Sequence, residues 1–116
     1  QPALAGQEGK VQAHRLYGAL FFGAVQLVEA LEDQLPAEAL IVDLKNVIYV
    51  DSSGADSLMS LHRACRKRGV RLIVCGLMHQ PLDMARRCGF TDAVPPADQC
   101  PDLAAGLSAA LGSDRD

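Results

Sequence analysis

The residues best suited to chemistry in this sequence are Asp51-Ser52-Ser53-Gly54. They follow the apolar run Val47–Val50 and precede apolar residues at helical spacing, so they must form a turn from a strand into a helix. The free backbone N–H groups at a helix start carry partial positive charge, and an anion placed there is held by donors and macrodipole alike. Ser52, Gly54 and Ala55 are the expected N–H donors. Asp51 and Ser53 are expected to shape and cap the turn, and Gly54 to let a partner approach the backbone closely. A phosphate carried by one of the serines would add nearly two negative charges at this point. The plainer reading is that Asp and Ser simply cap the helix, as these residues commonly do. Composition and spacing leave both readings open.

Elsewhere the chemical signals are weaker. Arg63, Arg66, Lys67 and Arg68, with Arg71, Arg86 and Arg87 nearby, are offset between positions 63 and 87 only by Asp83. They form a candidate basic interaction face for an acidic partner or lipid headgroups. They equally suit a solvated helix end, where cations complement the dipole. Cys65, Cys75, Cys88 and Cys100 are never closer than ten positions, so no CxxC pair exists for zinc or redox exchange. They read as free thiols of a reducing compartment. His14, His62 and His79 are scattered, with no Cys or carboxylate at ligand spacing, so no metal site is expected. Ser53 lacks the Gly-x-Ser-x-Gly elbow of hydrolases, and no GxxxxGK[ST] loop is present. The chain is not expected to be an enzyme or to hold a cofactor beyond weak nucleotide or anion binding at the turn.

These residues need a scaffold, and the pattern specifies one. Val11–Tyr17 alternates as a strand. Gly18 interrupts it, and Ala19–Phe22 is a second apolar piece, either hairpin-paired or a continuation past a bend. Ala24, Leu27, Val28, Leu31 and Leu35 mark a helix closed by Pro36. Ala39–Leu44 is apolar without alternation, as in a strand covered on both faces, and Val47–Val50 follows it. A helix runs from about Gly54 to Lys67 and stops at Gly69. Val70–Cys75 is a buried strand, His79–Cys88 a helix, and Phe90–Val94 a short last strand. A final helix opens at Asp98 or Pro101 and ends at Leu111. Strands alternating with helices predict an α/β domain with a mostly parallel sheet. The first strand or pair remains a candidate for antiparallel pairing. Sites in such sheets gather at the carboxyl ends of strands.

At 116 residues the chain has room for one core, and at 4% aromatic that core must be aliphatic. A net charge of −3 excludes a dedicated nucleic-acid binder. No apolar run approaches the ~20 residues that cross a bilayer, and Gln1–Lys10 has no signal-peptide pattern. Residues 1–10 are expected to be a flexible lead-in from an upstream region, 11–111 the folded domain and 112–116 a frayed tail.

Val47 to Ala55, read as apolar strand, Asp-Ser-Ser-Gly and small residue, resembles the signature turn of STAS domains. This family is named for sulfate transporters and anti-sigma factor antagonists. Asp43-Leu44, Arg68–Leu72, Gly76-Leu77 and Cys88–Phe90 fit the same pattern, so the resemblance runs from about Val11 to Leu111. It implies the STAS (SpoIIAA-like) fold: a mixed central sheet of four to six strands with about four helices mainly on one side. Tyr17–Gly23, with Phe21-Phe22-Gly23, resembles the C-terminal STAS domain of SulP-type anion permeases more than the polar segment of free antagonists. That branch implies a non-catalytic regulatory and interaction domain on the cytoplasmic side of the inner (plasma) membrane. As an isolated fragment it would be soluble. Its partners would be the transporter's own membrane domain and a cytosolic protein such as acyl carrier protein. In the antagonist branch the serine before the glycine is phosphorylated, and the matching position is Ser53. The alternatives are therefore a free antagonist switched at Ser53 and a nucleotide or anion sensor using Asp51 to Ala55.

Overall fold

The computed structural model describes residues 10–20, 29–30 and 33–112. Four strands form one sheet in the order β1-β2-β3-β4, namely Val11–Leu20, Ala39–Val50, Arg71–Cys75 and Gln99–Cys100. All three pairings are parallel. The described sheet is therefore parallel where a mixed one is expected from the sequence. The physical reason lies in β1, which is one strand of ten residues. It has register shifts between Arg15 and Tyr17 and between Gly18 and Ala19, with Gly18 at φ 73°, and Val11–Leu20 does not fold back as a hairpin at Gly18. Phe21-Phe22-Gly23 and most of the expected first helix lie outside the described residues, as do residues 1–9 and 113–116.

Among the described residues, the helices with defined bounds are α1 (Ser52–Arg68), α2 (His79–Arg87), α3 (Phe90–Ala93) and α4 (Leu103–Gly112), with a 3-10 turn at Pro96–Asp98. The strand order advances without reversal, so right-handed crossovers must deposit successive helices on one face. Leu40, Val42, Leu44, Leu72 and Val74 of that face pack with Leu58, Leu61, Ala85 and Phe90 of α1, α2 and α3. Among the described helices, α4, which follows β4, lies on the other face. Its Leu103, Leu107 and Leu111 cover Val11, Ala39, Ile41, Ile73 and Cys75. Gly106 lets α4 sit close, since a Cβ there would lie 2.4 Å from the Cys75 sulfur. The unalternated run Ala39–Leu44 is thereby buried on both faces, as expected.

Two expectations change. Phe90–Val94 is not a strand: Phe90 is fully buried as the first residue of α3, and the last strand is Gln99–Cys100. A short stretch with apolar residues at both ends carries the same pattern in either state, and only its packing partner decides. The two apolar pieces of β2 are also one strand of twelve residues, bridging the polar Lys45-Asn46. No helix among the described residues is long and apolar enough to cross a membrane.

Candidate functional site

β2 outruns its neighbour. Its pairing with β3 ends at Asp43 opposite Cys75, while its pairing with β1 continues to Val50. The chain leaves β3 at Gly76, where φ is 71° and a Cβ would stand 2.8 Å from the Lys45 backbone. The far part of β2 is thus half of a two-stranded ribbon, and it delivers the Asp51 turn beyond the sheet edge.

Gln80 of α2 stabilises that projecting end. Its side-chain carbonyl accepts the Val50 N–H at 2.7 Å, and its amide N–H donates to the Val50 carbonyl at 2.8 Å. The side chain supplies the two bonds that a third strand would have made. Nothing in the sequence near Gln80 signals this role, because the clamp exists only once α2 lies against β2. His79 beside it has a left-handed φ of 55°, unusual for a residue with a Cβ.

In the turn itself, Asp51 is the N-cap of α1. One of its carboxylate oxygens accepts the Gly54 N–H at 2.8 Å, and its backbone carbonyl accepts the Ala55 N–H at 2.9 Å. Gly54 and Ala55 are buried, so two of the three expected outward donors are used within the turn. The Ser52 and Ser53 N–H groups have no partner among the described residues. Ser52 is exposed and Ser53 half-buried. The Ser53 carbonyl accepts the Ser57 hydroxyl at 3.0 Å, which ties the second turn of the helix to the first.

Large apolar side chains are exposed toward this end of the molecule. Tyr17, Ile48, Tyr49 and Met78 are exposed, Ile48 to 75%, and all four belong to the ribbon or to the loop entering α2. The basic residues sit toward the other end of α1, about 17 to 24 Å along the axis from its first residue. Arg63, Arg66, Lys67 and Arg68 are exposed there, and α1 closes on Gly69. The turn and the basic face therefore do not form one site. Arg66 and His62 border an open cleft of about 270 Å³ between α1, the start of β3 and Val94–Asp98. Arg71 crosses this region to pair with Asp98 at 2.7 Å. Burial, then Arg66 and Arg63, lower the His62 pKa.

Below the sheet, a row crosses all four strands in register: Arg15, Asp43, Cys75 and Cys100. Asp43 is buried but paired, accepting from the Arg15 guanidinium at 3.1 Å and from the Lys45 N–H at 3.0 Å. The Asp43-Leu44 pair seen in the sequence thus serves as an internal ion-pair anchor. Among the described residues no three His, Cys, Asp or Glu side chains are grouped to hold a metal ion.

The comparisons with known proteins bear on the fold. The family model for the STAS domain matches residues 7–103. YvdB of Bacillus subtilis (strain 168), named for sulfate transport, is 29% identical over 93 residues. The match covers 77% of this chain and 18% of YvdB, so the chain spans less than a fifth of that relative's length. The SulP transporter STAS domain of Vibrio cholerae superposes with a TM-score of 0.77 at 25% identity, over 98% of this chain and 94% of that one. A sulfate transporter family protein of Wolinella succinogenes shares the fold at a TM-score of 0.82 and 21% identity, over 91% and 88% of the two chains. SLC26A9 shares it at 0.56 and 24%, over 82% of this chain but 16% of that one.

Proposed function

Because the chain belongs to the STAS domain family, we propose that it serves a SulP-type anion permease as a non-catalytic regulatory and interaction domain on the cytoplasmic side of the membrane. The observation that carries this reading is the near end-to-end likeness to the Vibrio cholerae SulP transporter STAS domain. The similarity to YvdB supports it from sequence.

The structure supports a contact role for the turn. The helix start is capped by Asp51, the strand leading into it is clamped by Gln80, and Tyr17, Ile48, Tyr49 and Met78 at this end of the ribbon are exposed. Apolar side chains gathered at one edge gain free energy when a partner removes them from water. The permease's own membrane domain is the partner proposed for this edge, with Ser52 and Ser53 as the groups that a bound or covalent anion would address.

Fractionation of the native host, with an antibody against this domain, tests the reading. The antigen is expected in the membrane pellet, resistant to alkaline carbonate and within a chain several times longer than 116 residues. A free antigen of about this size in the supernatant would overturn it. Stoichiometric phosphorylation of Ser53 by an anti-sigma kinase would overturn it in favour of partner switching.

A further inference from the structure

Two of the four cysteines that the sequence scatters are brought side by side. Cys75 ends β3, Cys100 ends β4, and the two are register partners in a parallel pair. Both face α4. The Gly76 N–H donates to the Cys100 carbonyl at 3.0 Å, which fixes the pairing just past Cys75. Neighbouring strands hold register partners about 4.8 Å apart at Cα, inside the range that a disulfide spans. Cys75 is fully buried, whereas Cys100 is half-buried and open to small reagents. The Cys75 sulfur fills the space that Gly106 leaves in α4.

We propose that Cys75 and Cys100 are an oxidation site, closed to an intramolecular disulfide by hydrogen peroxide or a related two-electron peroxide. The Cys100 thiolate attacks one peroxide oxygen; the O–O bond breaks, and the departing hydroxide takes a proton to leave as water. The resulting sulfenic acid is attacked by the Cys75 sulfur after its proton passes to water. An S–S bond forms, the S–O bond breaks, and a second water leaves. Two thiols are oxidised by two electrons and one peroxide is reduced to two waters. The bond would fasten β4, and with it the start of α4, to the sheet. This site is independent of the turn at Asp51 and of the transporter reading.

The charges facing the pair set its pace. Burial, then Cys100, Asp43 and Asp102, push the Cys75 thiol up to about 12, against a hydrogen bond from the Gly106 backbone. Burial and then Asp98 raise Cys100, while Arg71 opposes. The reaction is therefore slow near neutrality and quickens with pH, by about tenfold per unit while Cys100 stays mostly protonated.

The test is peroxide treatment of the purified chain at pH 7, 8 and 9, then alkylation, non-reducing digestion and mass spectrometry. A linked Cys75–Cys100 peptide is expected, with loss of two hydrogens per chain, while Cys65 and Cys88 remain alkylated. In Cys75→Ala the reaction should stop at Cys100 as a sulfenic acid that dimedone traps. The proposal is overturned if Cys88 is consumed first, if the wild-type Cys100 passes to sulfinic acid with Cys75 still a thiol, or if only crosslinked dimers form.

Discussion

The two halves of β2 live in different environments. From Ala39 to Asp43 the strand is paired on both edges and buried on both faces. From Leu44 to Val50 it is paired on one edge only, and Ile48 and Tyr49 stand in solvent. The first half is held by apolar burial, which is non-directional and sums over many contacts. The second also buries Leu44, Val47 and Val50 in the core, but lacks a third strand and is clamped at Val50 by two directed bonds from Gln80. The doubly paired half and the half that presents the turn thus differ in pairing and exposure within one strand, and they should fail differently.

The largest effect is expected where the halves meet. Gly76→Ala places a Cβ against the Lys45 backbone at a left-handed φ and should cost about 3 kcal/mol in denaturant unfolding. A loss under 1 kcal/mol would mean that β2 and the Gly76 turn are not locked together. Gln80→Leu leaves the Val50 N–H and carbonyl without the clamp. It should cost about 2 kcal/mol and speed hydrogen exchange at Val50 while leaving Leu40–Val42 protected. Equal acceleration in both halves would erase the distinction between them. Asp51→Ala removes the cap from Gly54 and should cost about 1 kcal/mol, with Asp51→Asn or Asp51→Ser restoring most of it.

The smallest effect is a slope with pH. Cys75 in the packed half keeps its proton to about 12 in the fold, against an ordinary value near 9. The unfolded chain therefore releases this proton first, and stability falls as pH rises through 9. The loss is about 0.4 kcal/mol at pH 9 and steepens toward about 1.4 kcal/mol per unit above it. Cys75→Ala should flatten this part of the stability–pH curve whatever it does to stability at pH 7. An unchanged slope would place the titrating group elsewhere.

The origin of these expectations divides along physical lines. Ala39–Leu44, the helix after Gly54 and the stop at Gly69 were legible because burial and capping leave periodic or local marks. Asp51 as a cap was legible for the same reason. Phe90–Val94 was not, since a five-residue stretch with three apolar side chains satisfies a strand or a helix turn equally well. Gln80, the Arg71–Asp98 pair and the Cys75–Cys100 pair leave no local mark. Their partners lie 30, 27 and 25 residues away in the chain.

The sequence by itself determined an aliphatic α/β domain, its strand-to-helix turn at Asp51–Gly54 and its resemblance to STAS domains. Each depends on neighbours in the chain, through hydrophobic period, helix capping and motif spacing. The tertiary structure alone decided which turn N–H groups remain open and that β2 projects past β3. It also decided that a glutamine completes the missing strand and that two distant thiols share a rung. Those outcomes depend on which surfaces meet after the crossovers close, and sheet order and register set this only when the whole chain packs.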